Sequence, residues 1–481
     1  MNVICCTDIG TTNIKTALIN IAGENISTQI VVTPYIKGNP TEFDPEELYQ
    51  VVCYNIKIAI NGLQEKAEIK GVSFTGQRAS ILLLDEKYKP VCHGLTWQDV
   101  NDSEAAKDYF GQLKQGDFTF ITGLPESVIW SCAKIAGWNK RYSGLKEGKY
   151  KVVLIHDYLC YRFGAGQFIT DPSNASLTGL FDVTQNRWSS KLYTPLHINE
   201  TILSELLPSG TLAATINKET ATLTELKEGT PILVGAGDQQ CATLGAGGIS
   251  QKDAVLCLGS AGILNCPVEQ PETGENKGFF CTAHAVEKTW VLESIHNSWS
   301  SSLNWIKKIL SSEKILIKES RKMNLPLFFP FLAGIGSPDY SPDTKGAFLG
   351  LSLEHDESDI QHAVLYGIIF EMRRIIETIK EVRDIPDIKL SGGISADRNL
   401  IQNLADITGC GLTSLLTEQT TLTGLAMITW TGLGYYPDIS QAVLEMTPSV
   451  NSYTEPREGY STDELYQRYL QGLSCIKGVS I

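Results

Sequence analysis

The sequence predicts an α/β fold built from two related domains, and three observations lead to this prediction. Short apolar runs alternate with amphipathic helical stretches along the chain, which is typical of α/β proteins. A strand–turn–strand pattern at Val3–Asn20 returns at Asp253–Val268, so the second half restarts with the same pattern as the first. The length of 481 residues suits about two to four domains. We therefore expect two domains, residues 1–246 and 247–481.

Composition describes an ordinary globular protein and argues against several classes. The chain is 42% hydrophobic and 20% charged, as folded domains are. Its net charge of −14 comes without a Lys/Arg block, so we expect no nucleic-acid partner. No signal-peptide pattern opens the sequence. It contains no run of about 18 apolar residues, so we expect no membrane span and no membrane partner. Twelve cysteines without a CxxC pair predict reduced thiols in a cytoplasmic protein.

The first half begins with a predicted β-hairpin. Val3–Cys6 and the apolar run KTALIN flank the polar turn TDIGTT. A helix follows at PEELYQVVCYNIKIAINGL, where Pro45 suits the first turn and Glu46 and Glu47 suit its dipole. Residues 69–91 then predict strand, turn and strand around TGQRAS. After loop-rich segments, the strand PILVGAG leads to Asp238.

The second half begins with the repeated strand, Gly/Ser turn and strand in DAVLCLGSAGILNCPV. Residues 325–352 are rich in Pro and Gly but too apolar for a free linker, so we expect them to pack in a cleft. IKLSGGIS predicts another strand with a glycine turn. Gly409 suits the end of the helix that follows. Helices are predicted at 357–383, 396–409, 419–434 and 462–474.

Three polar turns that follow apolar strands, DIGTT, GSAG and SGGIS, are candidates for phosphate binding. Glycine permits positive φ and close backbone approach, so such turns can present N–H groups to phosphates. Thr11, Thr12 and Ser260 add hydroxyl donors, and Asp8 can hold Mg²⁺ through water. Their spacing fits neither Walker A nor GxGxxG. Taken alone, each of the three is typical of an ordinary hairpin turn.

Asp238 stands among small residues at a strand end, in GAGDQQ. A carboxylate with open space beside it can accept a proton from the hydroxyl of a ligand. The alternative is an N-cap for a helix starting at Gln239, and both roles are compatible. Gln239 and Gln240 can bind hydroxyl groups, although either reads equally as a surface residue.

Two further strand ends carry candidate sugar contacts. Trp97 in LTWQDVND offers a flat apolar face, and Asp99 offers an acceptor. A core tryptophan is the alternative at this position. Gln77 and Arg78 in TGQRAS supply several donors in a turn. The seven histidines form no ligand pair, and no zinc spacing is present.

Eight motifs in order resemble the FGGY family of carbohydrate kinases, which includes xylulokinase, glycerol kinase, gluconate kinase and ribulokinase. The resemblance covers nearly the whole chain. It implies two actin-like (ribonuclease H-like) domains with an interdomain cleft, with the sugar mainly on the first domain and ATP mainly on the second. The motifs are DIGTTNIKTALIN, TGQRAS, TWQD, IHDYLCYRF, ITDPSNAS, GAGDQQCATLG, SPDYSPDTKGAFLGLS and SGGISADRNLIQNLADITG.

The resemblance also implies roles for individual residues. Asp238 corresponds to the general base, and Asp8 lies near Mg²⁺. A homodimer is the usual assembly of resembling proteins. Gln77, Arg78, Trp97, Asp99 and Gln239 would contact the sugar. Thr11, Thr12, Gly259, Ser260, Gly392 and Gly393 would contact the phosphates and the nucleotide.

The chain departs from the family patterns at positions that bear on the substrate. It has GQRAS where xylulokinases commonly have GQMHG, and Ala79 where glycerol kinases have glutamate. AGIGSP replaces AGERSP, so Ile335–Gly336 stands in place of a charged pair. We expect phosphorylation of a primary hydroxyl of a small sugar, a ketopentose such as xylulose. Glycerol or another polyol is one alternative; a non-catalytic actin-like regulator, which would form no ADP, is the other.

Overall fold

A computed structural model of the chain describes residues 1–311, 324–392, 397–417 and 419–477. Two large mixed sheets organise it, one of six strands in the first half and one of seven strands in the second. Each sheet contains a hairpin whose first strand also pairs in parallel with a later strand. The repeat predicted from Val3–Asn20 and Asp253–Val268 is therefore confirmed. The boundary between residues 246 and 247 stays a prediction.

The first half holds the elements that form the six-stranded sheet, in the order β13-β14-β5-β1-β2-β3, and a four-stranded sheet, in the order β4-β7-β6-β8. Its strands are β1 (Asn2–Ile9), β2 (Asn13–Asn20), β3 (Asn25–Val32), β4 (Glu42–Phe43), β5 (Glu68–Gly76), β6 (Ile81–Leu84), β7 (Gly94–Leu95), β8 (Lys151–Leu154), β9 (Ile169–Thr170), β10 (Phe181–Asp182), β11 (Arg187–Trp188), β12 (Glu205–Leu206), β13 (Leu212–Thr215) and β14 (Pro231–Leu233). Its helices are α1 (Pro45–Asn61), α2 (Ser103–Phe110), α3 (Asp117–Thr122), α4 (Ser131–Arg141), α5 (Ile155–Phe163), α6 (Pro172–Ser176), α7 (Ser190–Tyr193), α8 (Lys218–Thr224) and α9 (Asp238–Gly245).

The second half holds the seven-stranded sheet, in the order β17-β18-β16-β15-β21-β22-β23. Its strands are β15 (Val255–Leu258), β16 (Gly262–Val268), β17 (Phe280–Ala283), β18 (Trp290–His296), β19 (Leu327–Phe329), β20 (Ala347–Leu349), β21 (Asp387–Ser391), β22 (Gly411–Leu415) and β23 (Val450–Thr454). Its helices are α10 (Trp299–Ile309), α11 (Glu357–Lys380), α12 (Arg398–Thr408), α13 (Thr420–Gly432), α14 (Ile439–Met446) and α15 (Asp463–Lys477).

Helix ends follow the capping signals in the sequence. Asp44 caps α1 by accepting hydrogen bonds from the backbone N–H groups of Glu46 and Glu47, with Pro45 in the first turn. Gly409 ends α12 in the left-handed conformation that glycine adopts at low cost. The two predicted helices are confirmed. Helix α14 was not predicted.

The Pro/Gly-rich stretch 325–352 contributes its first apolar residues to the core of the second half. Leu325, Phe328 and Phe329 are buried in the core of the second half, where they pack against α11 and α15. These three residues therefore help to fill this core, whereas Leu332, Leu349 and Leu351 are exposed, and packing of the stretch in a cleft stays a prediction. None of the helices in the described ranges has both the length and the apolar composition that a membrane crossing requires.

Helix α13 comes late in the chain but packs on the sheet of the first half. Its apolar residues join a core with Ile4 and Cys6 of β1, and the Trp430 indole N–H donates to the Asn20 carbonyl at 3.0 Å. Helices α9 and α13 cross closely because glycines face each other. A Cβ atom at Gly424 would lie 1.9 Å from the Cys241 carbonyl oxygen. The late segment therefore completes the early domain.

We predict that Gly424→Ala destabilises the protein by about 1–3 kcal/mol, because the methyl group meets backbone atoms that cannot rotate away. Alanine otherwise favours a helix over glycine, so a loss of stability reports the crossing itself. Urea unfolding measures it. Gly166→Ala is the control, since nothing lies within 4 Å of a Cβ there. Equal stability of Gly424→Ala and wild type would show that the helices separate easily.

Candidate active site

Three parallel strands bring distant polar residues to one edge of the first sheet. β1, β5 and β14 are neighbours, and Gly76 forms a parallel bridge with Gly237 just beyond β14. The Gln77 backbone N–H donates to the Ile9 carbonyl at 2.9 Å. Carboxyl ends of parallel strands share one edge of a sheet, where ligands bind in α/β proteins. Asp8, Gln77, Arg78 and Asp238 therefore meet there.

Asp238 is the first residue of α9, and Gly237 takes the N-cap position. The helix thus begins one residue earlier than the N-cap alternative requires. One Asp238 carboxylate oxygen accepts the Gln239 backbone N–H at 2.8 Å, and the side chain remains 28% exposed. The carboxylate is fixed in place and still open to a ligand.

A buried polar chain holds the backbone just before Asp238. The Gly237 N–H donates to the Ser173 hydroxyl at 2.8 Å, and that hydroxyl donates to Asp171. Asp171 also caps α6 and accepts the Ser209 hydroxyl at 3.1 Å. Each donor named in this hydrogen-bonded network has an acceptor, so the network holds the backbone before Asp238 in place.

Arg78 lies between two carboxylates. Its Nη1 and Nη2 atoms donate to the two oxygens of Glu293 at 2.8 and 2.6 Å. Its Nε atom is 3.4 Å from an Asp238 oxygen, and its side chain is only 6% exposed. Paired hydrogen bonds of this kind fix both position and orientation of a guanidinium. The predicted contact of Arg78 with sugar stays a prediction.

Glu293, on β18 of the second half, was missed in the sequence. It is almost fully buried and also accepts hydrogen bonds from Gln240, at 2.9 Å, and from the Thr282 hydroxyl. A lone glutamate in the apolar strand WVLESIH was the available signal, of the same kind as the signal at Asp238. Its partner Arg78 is 215 residues away.

Burial and charge together set the ionisation of these carboxyls. Burial, and then the charge of Asp238, raises the pKa of Asp8 to about 7. Burial also raises the pKa of Asp238, although Arg78 opposes this. Burial acts on Glu293 as well, but Arg78 outweighs it and holds that pKa below its usual range. Burial and then the charge of Asp238 raise the pKa of Cys257 to about 12.

The other predicted sugar contacts surround the same edge. The Ser80 hydroxyl donates to the Gln77 side-chain oxygen at 3.1 Å and accepts the Trp97 backbone N–H at 3.2 Å. The Gln77 side-chain nitrogen and the Gln239 side-chain oxygen are buried without a protein partner. Asp99 is buried and accepts hydrogen bonds from Thr41 and Asn101. Contact of these residues with sugar stays a prediction.

The phosphate-turn candidates divide between the two sheets. Thr11 and Thr12 follow β1, and their carbonyl oxygens accept the Tyr35 hydroxyl and the Thr33 N–H. The Gly259–Ser260 turn between β15 and β16 is exposed, and its carbonyls accept hydroxyl groups at the start of α10. Gly392 has φ +103°, and a Cβ there would meet the Leu258 oxygen at 2.2 Å. Gly393 lies outside the described residues.

Comparison of the chain with models of known protein families shows which family it belongs to. The model of the N-terminal domain of the FGGY family of carbohydrate kinases matches residues 3–245, and that of the C-terminal domain matches residues 275–432. The chain belongs to the FGGY family. It is therefore a sugar kinase, a phosphotransferase with an alcohol group as acceptor. The predicted resemblance is confirmed over most of the chain.

Named relatives of this FGGY kinase differ in substrate. It is 24% identical to the xylulose kinase of Staphylococcus xylosus, over 88% of this chain and 89% of the relative. It is 29% identical to the glycerol kinase of Saccharolobus islandicus, over 90% and 89%. Each name describes that relative, and together they leave the sugar of this kinase open.

Solved structures confirm the predicted two-domain actin-like fold. The gluconate kinase of Lactobacillus acidophilus superimposes with a TM-score of 0.91 at 21% identity, covering 100% of this chain and 99% of the other. The glycerol kinase of Plasmodium falciparum, solved with ADP, gives 0.89 at 19% identity, covering 100% and 98%. At these identities the likeness concerns the fold alone.

The residues around Asp8 fit a magnesium ion. Its Oδ1 atom is buried without a hydrogen-bond partner, and Asp238 lies close enough to raise its pKa. In the described ranges no cluster of three or more His, Cys, Asp or Glu side chains is placed to hold a metal. Magnesium commonly uses one or two carboxylates together with water and substrate phosphates. In this FGGY kinase Asp8 would be the protein ligand.

The departure at Ile335–Gly336 has a structural reason. Ile335 is 3% exposed and lies in the apolar core of the second half. A Cβ at Gly336 would lie 2.2 Å from the Ile295 carbonyl oxygen. The turn in this FGGY kinase is therefore packed too closely for a charged side chain at 336.

We predict that Asp8→Asn stabilises the magnesium-free kinase near pH 8. The pKa of Asp8 rises from 3.8 to about 7 on folding. Between about pH 4 and pH 7 the folded protein therefore holds a proton that the unfolded chain has released. Its contribution to stability therefore falls as pH rises from about 4 to about 7. Asparagine has no such proton, so the melting temperature should exceed that of wild type near pH 8 and approach it near pH 4.

Thermal unfolding across this pH range measures the effect. Asp85→Asn is the control, because backbone hydrogen bonds from Lys89 and Lys87 lower the pKa of this partly exposed carboxyl. The melting temperature of Asp85→Asn near pH 8 should not exceed that of wild type. An Asp8→Asn protein no more stable than wild type at that pH would contradict the prediction.

Proposed function

We propose that this kinase transfers the γ-phosphoryl group of ATP to a primary hydroxyl of a small neutral sugar, a ketopentose such as xylulose. One observation carries the proposal. The Asp238 carboxylate is fixed at the start of α9, is partly exposed, and lies at the sheet edge that also carries Asp8, beside the Arg78 guanidinium that pairs with Glu293 of β18. A base is useful only where donor phosphate and acceptor alcohol meet, and this position adjoins elements of both domains.

Asp238 would act as the general base. As the sugar oxygen bonds to the γ-phosphorus, the bond to the β–γ bridging oxygen breaks, which yields ADP and the sugar phosphate. Asp238 takes the hydroxyl proton during this step. The unpartnered side-chain nitrogen of Gln77 and oxygen of Gln239 would orient other hydroxyls of the sugar. Such positioning supplies much of the catalysis in phosphoryl transfer.

Nucleotide binding is proposed on the second domain. The exposed Gly259–Ser260 turn suits phosphates, and the close approach at Gly392 suits an adenosine surface; Gly393 is proposed with it. Thr11 and Thr12 would face the γ-phosphate from the first domain. The Plasmodium falciparum glycerol kinase was solved with ADP, which supports an adenine nucleotide as the phosphate donor. Magnesium, when bound near Asp8, would neutralise phosphate charge.

Charge balance favours a neutral sugar over a sugar acid. The Arg78 guanidinium is shared between Glu293 and Asp238, and Asp8 adds a further carboxylate to this edge. The carboxylate of a sugar acid would approach these negative groups while the nearest guanidinium is already paired. Like charges so placed cost binding free energy.

A ketopentose is preferred over glycerol because of Ala79. Glycerol kinases carry glutamate at this position, where it contacts glycerol, whereas Ala79 is buried and offers no polar group. Trp97, which is partly buried, would cover an apolar face of a larger sugar.

A cytoplasmic location is proposed because all twelve cysteines are free. The homodimer stays a prediction.

Asp238→Asn should lower kcat by about 10²–10⁴-fold, because the amide keeps the shape of the side chain but cannot take the proton. Steady-state kinetics with coupled detection of ADP measures kcat. Circular dichroism and the Kd for ATP serve as controls for folding and nucleotide binding. Turnover close to wild type would remove Asp238 from the chemistry.

A substrate panel tests the sugar. Xylulose, ribulose, sedoheptulose, gluconate, erythritol and glycerol are compared by kcat/KM in the same assay. Xylulose should rank first, with gluconate at least about tenfold lower because of its charge. A first rank for gluconate would contradict the charge argument, and a first rank for glycerol would support the polyol alternative. ATP and sugar binding without ADP formation would support a regulator.

A further inference from the structure

We propose that Glu293 is a positioning residue for the transfer step, holding the guanidinium of Arg78 beside Asp238 from across the domain interface. This inference rests on the proposed function, because it assigns Glu293 a role through the proposed base. Glu293 belongs to β18 in the second half, whereas Arg78 and Asp238 belong to the first. The cation beside the base is then in place only while the two domains are in contact.

Arg78 has little freedom along its length. A Cβ at Gly237 would lie 2.5 Å from the Arg78 Cδ atom, so the side chain passes directly over the backbone that precedes Asp238. Its two terminal nitrogens meet both oxygens of Glu293. With both ends fixed, Nε remains 3.4 Å from Asp238. Without Glu293 the terminal nitrogens would lose their acceptors and the guanidinium would be free to turn.

Glu293 is itself held by neutral donors. Gln240 donates to it at 2.9 Å and to the Thr282 hydroxyl at 3.0 Å, and Thr282 donates to the same glutamate oxygen. Gln240 lies on α9, as Asp238 does. Glu293 is therefore joined to the helix of the base twice, directly through Gln240 and indirectly through Arg78. A contact needed only to hold two domains together would not require this convergence on one helix.

The chemical consequence concerns the orientation of the base. A carboxylate whose cationic neighbour is displaced changes its preferred hydrogen bonding and its distance from the sugar hydroxyl. Errors of about 1 Å in such an alignment can cost on the order of 10²-fold in rate. The contribution of Glu293 should therefore appear in kcat, and it should depend on the presence of a base at 238.

A double-mutant cycle tests this role. Glu293→Gln should lower kcat by roughly 10- to 100-fold, with the KM for ATP changed little. Combined with Asp238→Asn, the same substitution should lower kcat by no more than about threefold, because no base remains to be positioned. An equal loss in both backgrounds would show a merely structural role and overturn the proposal.

A milder variant keeps the test valid if Glu293→Gln folds poorly. Thr282→Val removes one donor to Glu293 while leaving the ion pair, and it should cause a smaller loss of kcat that also disappears in the Asp238→Asn background. Glu371→Gln is the matched control, since Glu371 is a buried partner of Arg374 within the second half. This control should change kcat little and by the same factor in both backgrounds.

The outcomes also separate this proposal from the proposed function. If Asp238→Asn turns over at the wild-type rate, the assignment of the base and the role of Glu293 both fail. If Asp238→Asn is slow while folded Glu293→Gln and Thr282→Val both reach the wild-type kcat, only the role of Glu293 fails. A loss of kcat that Glu293→Gln causes only when Asp238 is present supports the proposed role of Glu293.

Discussion

Parallel pairing of β1, β5 and β14 is the constraint on which the site depends. Their shared edge brings together Asp8, Arg78 and Asp238, residues that are far apart in the chain. Backbone hydrogen bonds fix this edge, so the carboxylates are held close despite their repulsion. Glycines keep the strand ends near enough, as at Gly76 and Gly237. The same ladder that stabilises the sheet therefore also brings like charges together.

Those charges make the site costly to bury. A buried ion pair rarely adds much stability, because desolvation offsets the attraction, whereas removing one partner leaves an uncompensated charge. Arg78 with Glu293 is such a pair, and it crosses from one domain to the other. In the role proposed for Glu293, the pair contributes to the geometry of the base more than to stability.

Much of the fold and part of the site could be predicted from local sequence. The hairpin repeat, α1 and the end of α12 follow from patterns and capping residues within a few positions of each other. Asp238 was recognisable because a carboxylate among small residues has no packing role. Glu293 gave a similar signal, but its meaning depended on Arg78, and no local pattern shows a pair 215 residues apart. The place of α13 was missed for the same reason.

Helix α13 has a consequence for the synthesis of this protein on the ribosome. One face of the first sheet is covered by residues that emerge about 400 positions later, since Trp430 is 410 residues beyond its acceptor at Asn20. At about 5–20 residues per second this delay lasts roughly 20–80 s. During that time Ile4 and Cys6 lack the late apolar residues that finally cover them. Until α13 has been synthesised, the nascent chain therefore exposes an apolar face of the first sheet, the kind of surface that chaperones bind.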